Sequence, residues 1–271
     1  MPVVLQLSDP HLLAEPDARL RGVPTWQTLA DVLALARARH GVIDRIVLTG
    51  DLAHDEAPAT YRGLHSALGP LAARAHALPG NHDDREALRS AFPAPAGAPD
   101  STSPPPDRIV FAERVGGWLL LGLDSRLPGE DAGHLGSEQL AWLRERLAAH
   151  VDVPTVIFLH HPPVPTGHPV LDGMGLTDAD ALAAVLAGAP WVRAICHGHI
   201  HRAFEGRLAE IPVLGAPSTA FQFPAHPEQG AYELLPPGAR VLRLDDDGDG
   251  LHGDVLRLPT LAFPPLEKTK A

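Results

Sequence analysis

The sequence predicts a layered α/β fold with mixed β-sheets, on three observations. Short β-rich apolar runs recur along the chain, each ends in a polar, Gly-containing loop, and helical patterns follow them. With 271 residues, 45% of them hydrophobic, the chain can bury one large core, so a single domain over 1–271 is expected.

The first strand is Val3 to Leu7. A helix is predicted over Thr25 to Arg39, because Leu29, Val32, Leu33 and Ala36 fall on one face, and a strand over Arg45 to Thr49 follows. Asp55 and Pro58 have the character of a helix start. Further strands are predicted at Ala75 to Leu78, Thr155 to Leu159 and Arg193 to Cys196, with helices at Ser137 to His150 and at Thr177 to Leu186, the latter capped by Thr177. Runs Arg108 to Val115 and Trp118 to Leu123 flank Gly116 and Gly117, the composition of a tight hairpin, which makes the sheet mixed. From Arg207 onward short alternating strands, with turns at Pro236 to Gly238 and Asp245 to Gly250, predict an antiparallel layer. Pro93 to Pro106 reads as a Pro-rich surface loop and not a domain boundary, and 265–271 as a tail that frays from Lys268 to Ala271.

Composition excludes several functions. A net charge of -11 argues against long DNA or RNA, while a small anionic substrate stays compatible, because bound cations reverse the local sign. The longest apolar stretches are strand-length, which predicts no membrane span. The N-terminus runs from Met1 and Pro2 into a strand without a basic leader, so a cytoplasmic chain is expected. The single cysteine, Cys196, permits neither an internal disulfide nor a thiolate cluster and reads as an inert buried hydrophobe. Gly-x-Ser-x-Gly and P-loop motifs are absent from the sequence.

The chemistry lies in five motifs just after predicted strands: Asp9-Pro10-His11, Gly50-Asp51, Gly80-Asn81-His82-Asp83, His160-His161 and Gly198-His199-Ile200-His201. Loops leaving the carboxyl ends of neighbouring strands converge on one crevice. Carboxylate, imidazole and amide oxygen together suit Fe or Mn, with Zn as the alternative, and without thiolates a structural zinc knot is disfavoured. Holding two cations about 3.5–4 Å apart requires a bridging carboxylate, for which Asp51 is the candidate. Such a pair lowers the pKa of bound water from 15.7 to about 7, so phosphoryl chemistry then needs mostly positioning and charge neutralisation.

Taken with Leu20-Arg21-Gly22-Val23, Tyr61, Asp84-Arg85, Leu123-Asp124-Ser125, Pro162-Pro163 and Pro217-Ser218-Thr219, these motifs resemble the calcineurin-like metallophosphoesterases, in particular bacterial class III cyclic nucleotide phosphodiesterases and glycerophosphodiesterases. The likeness runs from Leu7 to about Gln222. It implies a four-layer α/β/β/α sandwich with two divalent or mixed-valence metal ions, one on Asp9, His11, Asp51 and His201 and the other on Asp51, Asn81, His160 and His199. It also implies attack by metal-bound hydroxide on a small phosphodiester, 3′,5′-cyclic AMP foremost, with glycerophosphodiesters or broader phosphoesters as alternatives; a non-catalytic scaffold is the remaining one. By the same resemblance His82 is the catalytic acid or transition-state stabiliser, and Asn81, His82 and His161 contact substrate. Ser218, Thr219 and Gln222 would approach it, and a homodimer is in keeping with the family.

The chain departs from that family at Pro10, where Thr is commoner, at His197, and at His54, where many relatives carry another polar residue. These positions leave the ligand set whole and bear on substrate preference. His54, His134 and His168 otherwise read as solvated loop histidines, and Asp245 to Gly250 as a hairpin turn, since Leu256 stands where a calcium loop needs Glu.

Overall fold

In the computed structural model, which describes residues 1–93, 105–246, 248 and 250–267, the apolar runs pair into two sheets. Strands β1 (Val3–Leu7), β2 (Arg45–Thr49), β3 (Ala75–Leu78), β10 (Gly238–Leu244) and β11 (Leu251–Arg257) form one, in the order β11-β10-β1-β2-β3. The other contains β4 (Phe111–Val115), β5 (Trp118–Gly122), β6 (Thr155–Phe158), β7 (Val192–His197), β8 (Phe204–Leu208) and β9 (Ile211–Gly215), in the order β4-β5-β6-β7-β9-β8. Strands β1, β2 and β3 run parallel, as do β5, β6, β7 and β9, while the outer hairpins are antiparallel, so both sheets are mixed.

Period-two alternation stacks the layers. Val4, Val47, Leu78, Trp118, Leu120, Phe158 and Leu242 point into a core between the sheets. Their neighbours Leu5, Leu7, Ile46 and Leu48 point outward against helices α1 (Thr25–His40), α2 (Pro58–Leu68) and α3 (Arg85–Ala91). On the opposite side Leu119, Leu121, Ile157 and Ile195 pack on α4 (Ser137–Ala149) and α6 (Ala179–Leu186), with the short α5 (Pro169–Asp172) between them in sequence. The predicted α/β/β/α layering is therefore observed. An ionic clip joins the sheets at one edge: Glu113 of β4 accepts from Arg45 Nε and from His76 Nε2, each at 2.7 Å.

Three expectations require correction. The segments after Arg207 form no layer of their own: β9 adds in parallel to β7, and β10 inserts beside β1, because each apolar face covers an edge of a different sheet. The Thr177 cap is displaced, since its hydroxyl donates to the Gly133 carbonyl and the helix begins at Ala179. Within the predicted tail, Leu266 donates its N–H to the Arg21 carbonyl at 2.8 Å, so 265–267 docks on the body. Most of the Pro-rich loop (94–104), Lys268 to Ala271, and Asp247 and Asp249 of the acidic turn lie outside the described residues.

Candidate active site

Every motif predicted to bind a cation leaves the carboxyl end of a parallel strand: β1 leads to Asp9 and His11, β2 to Asp51, β3 to Asn81 and His82, β6 to His160 and His161, and β7 to His199 and His201. Buried polar bonds hold these strand ends together across the sheets. Gln6 donates to the Thr49 hydroxyl and the His197 carbonyl, both at 3.0 Å, and the His160 Nδ1–H donates to the Thr49 carbonyl at 2.7 Å.

The loops turn sharply. Asp9, His11, Asp51, His199 and His201 have φ of 52°, 44°, 52°, 70° and 48°, left-handed backbone that costs a non-Gly residue about 1–2 kcal/mol. Local bonds hold the conformation: the His11 N–H donates to the Asp51 carbonyl, and the His199 N–H to the Asp9 carboxylate, each at 3.0 Å. Glycine is required where loops touch, since a Cβ at Gly80 would enter the Asp51 carboxylate and one at Gly198 would strike the Ser8 hydroxyl.

Two groups of donor atoms result. Asp9, His11, Asp51 and His201, all buried, present donors within 4.8 Å of one another. His11 Nε2 lies 3.0 Å from His201 Nε2 and 3.5 Å from Asp51 Oδ2. In the second group Asn81 Oδ1 is 3.2 Å from both His160 Nε2 and His199 Nδ1. His160 Nε2 is 3.4 Å from Asp51 Oδ1, so Asp51 faces each group with a different oxygen.

This donor set fits cations. The Nδ1–H groups of His160 and His201 are spent on the Thr49 and Phe221 carbonyls, which leaves both Nε2 lone pairs turned inward. Burial depresses the His11 and His199 imidazoles to about 3 and His201 well below its ordinary value, so all three are neutral, the form that ligates. Burial lowers His160 too, but Asp51 and Asp9 outweigh it and raise it to about 9, so without a cation its Nε2 carries a proton that a bound cation would displace to reach the lone pair. Asp51 is held well below the usual carboxylate range, because His160 and His11 overcome its burial. Among the described residues the ion-pair partners of Asp9 and Asp51 are imidazoles.

His161 also lies within 4.8 Å of His160 and His199, yet both its nitrogens are engaged: Nε2 with the Asp131 carbonyl at 3.1 Å, Nδ1 with the Ser125 hydroxyl at 2.8 Å. A cleft of about 560 Å³ opens over the groups, floored by His11, Asp51, Asn81 and His82 and walled by Phe223 and Tyr232. The His82 ring stands 5.2 Å from that of His11, and the main-chain N–H of His82 donates to Asp51 Oδ1 at 3.0 Å. Ser218, Thr219 and Gln222, expected near substrate, are 0% exposed and brace the Asp9 loop from beneath; the Ser218 hydroxyl donates to the Asp9 carbonyl at 2.7 Å. Of the histidines read as solvated, His134 is partly exposed, His54 is exposed at the cleft mouth, and His168 is buried, its Nδ1 accepting from the Leu171 N–H to cap α5.

Sequence reasoning passed over Asp83. Its buried carboxylate accepts from the Leu52, Ala53 and Gly80 N–H groups and from the Tyr61 hydroxyl, tying the Asp51 loop to the Asn81 loop. Asp124 does similar work, receiving Arg85 in a fork of 2.7 and 2.8 Å. Both lie in motifs quoted from the sequence, and for Asp83 an acid two residues after the ligand candidate Asn81 was the available signal.

Comparison with known proteins agrees with this geometry. The chain is 36% identical over 262 residues, 97% of its length and 92% of the relative's, to a protein named 3′,5′-cyclic adenosine monophosphate phosphodiesterase CpdA from Escherichia coli (strain K12). It is 35% identical to the CpdA of Pseudomonas aeruginosa, with 91% of this chain and 86% of that protein covered. Among solved structures it superposes on a dimetal phosphatase from Danio rerio with a TM-score of 0.66 at 16% identity, covering 94% of this chain and 96% of that one, a likeness of fold. The profile of the family described as calcineurin-like phosphoesterase matches residues 2–203, and the chain belongs to that family.

Proposed function

We propose that this chain is a binuclear metal-dependent phosphodiesterase acting on 3′,5′-cyclic AMP or a closely related cyclic nucleotide. The observation that carries the reading is Asp51, whose two oxygens face two donor groups at the floor of one cleft. The names of the relatives, cyclic AMP phosphodiesterases matched along nearly the whole chain, support the substrate.

Asp9, His11, Asp51 and His201 would hold one cation, and Asp51, Asn81, His160 and His199 the other. When bound, such a pair lowers the pKa of water to about 7 and neutralises phosphoryl charge. The chain's own residues supply orientation and a proton. Asn81 is set by its contacts with His160 and His199, so its amide group has one place in the floor. His82 is fixed through its main chain, and among the described residues its ring nitrogens make no hydrogen bond, which frees them to steady a phosphoryl oxygen or protonate the departing alkoxide. His161, with both nitrogens occupied, would act on substrate only by supporting its neighbours. Among the described residues no helix is long and apolar enough to cross a membrane, and a cytoplasmic enzyme, as monomer or homodimer, belongs to the same proposal.

Turnover of cyclic AMP, glycerophosphocholine and bis(p-nitrophenyl) phosphate by one manganese-loaded preparation tests it. Cyclic AMP is expected to show the highest kcat/KM. Hydrolysis of the other two without cyclic AMP would refute the substrate, and hydrolysis of none would refute the reaction.

A further inference from the structure

A ligating imidazole uses one nitrogen, and its orientation depends on what holds the other. For His160 and His201 the holder is main chain, the Thr49 and Phe221 carbonyls at 2.7 and 2.9 Å, which no side-chain substitution removes. His11 differs. Its Nε2 faces His201 and Asp51, while its Nδ1 lies 3.3 Å from Nδ1 of His54.

Two ring nitrogens at that distance share one proton. With Nε2 of His11 turned to the donor group, its proton sits on Nδ1, and Nδ1 of His54 is the acceptor. The proton of His54 is then on Nε2, and this residue lines the cleft with its ring 5.3 Å from that of His82. The backbone beneath is rigid: the His54 N–H donates to the Leu12 carbonyl at 2.8 Å, and Leu12 pairs with Ala53.

We infer that His54 is a positioning residue for His11 and presents an Nε2–H donor to an anionic oxygen of the phosphodiester. One side chain thereby links the set of the metal site to the hold on substrate, at a position where the sequence departs from its family. The inference rests on the assignment of His11 as a ligand proposed above.

Three substitutions separate the two roles. His54→Asn keeps an oxygen near the Nδ1 position and loses the cleft donor, His54→Gln keeps an amide N–H near the Nε2 position and loses the acceptor, and His54→Ala loses both. Affinity for Mn²⁺ alone, by chelator competition on the full chain, is expected to fall roughly 10–100-fold in His54→Ala and His54→Gln, with His54→Asn recovering most of the loss. KM for bis(p-nitrophenyl) phosphate is expected to rise in His54→Ala and His54→Asn and to change less in His54→Gln. Melting of the metal-free variants should be unchanged, since the side chain is exposed and its main-chain bond remains. Undiminished Mn²⁺ affinity in His54→Ala, or His54→Asn no better than His54→Ala, would overturn the positioning role; an equal KM in His54→Gln and His54→Ala would overturn the donor role. A His11→Ala control that keeps full Mn²⁺ affinity would overturn the ligand assignment beneath them.

Discussion

Replacing Asp83 by Asn tests how the site is held, because the substitution keeps volume and exchanges one carboxylate oxygen for an NH₂. In the structure Oδ1 accepts from the Leu52 N–H at 3.0 Å, the Ala53 N–H at 3.1 Å and the Tyr61 hydroxyl at 3.1 Å, while Oδ2 accepts from the Gly80 N–H at 2.8 Å and shares the Leu52 N–H at 3.1 Å. An asparagine that keeps its oxygen at the Oδ1 position turns its NH₂ toward the Gly80 N–H, donor against donor. The loss is one bond to a charged acceptor in a fully buried place, roughly 1.5–3 kcal/mol, or a fall in Tm of roughly 3–6 °C. Gly80 precedes Asn81 and touches the Asp51 carboxylate, so the loop shift should also cut turnover by roughly 10–100-fold. Tyr61→Phe removes a hydroxyl that donates to Asp83 and accepts from the Asp84 N–H at 2.8 Å, and in a double-mutant cycle with Asp83→Asn its cost should be smaller than alone. Thermal melts and steady-state kinetics on the four proteins decide the matter. Wild-type Tm and kcat in Asp83→Asn would refute the idea that this carboxylate fastens the two loops.

Other outcomes follow from the same geometry. Asn81→Ala should lower Mn²⁺ affinity at one site and reduce turnover sharply without lowering the melting temperature of the metal-free chain; full activity would refute its place in the floor. His82→Ala should lower kcat by roughly 10²–10⁴-fold and leave metal content intact, and an unchanged kcat would remove it from the chemistry. At Glu113, burial pushes the carboxyl up, but His76 and Arg45 outweigh it and bring it to about 2. A depressed carboxyl gives stability that is present above its ordinary 4.5 and lost as pH falls from there toward 2. Glu113→Gln should therefore cost about 1–2 kcal/mol at pH 7 after solvent screening, with the gap to wild type narrowing by pH 3; a constant gap would refute the ionic clip.

The sequence made the strands legible where one face is buried, and β1, β2 and β3 have the boundaries read from it, because a short apolar run with polar ends has one register. Which sheet receives a strand depends on distant partners, and nothing local to Gly238–Leu244 says that it lies against β1. The ligand candidates were legible because chemistry restricts them to a few residue types placed after strands. Left-handed backbone at His11, His199 and His201 was not, since it is uncommon for any non-Gly residue, histidine included, and tertiary bonds impose it here. The roles of Asp83 and His54 depend on loops from separate strands meeting, which spacing along the chain does not encode.

The shared carboxylate is tested most directly by counting metal. Reconstitution of the metal-free full chain with Mn²⁺, followed by elemental analysis of the desalted protein, should give two equivalents per chain, and Asp51→Ala should retain neither at equal protein concentration. Two equivalents retained without Asp51, or no more than one in the natural chain, would contradict a centre in which two cations share that residue.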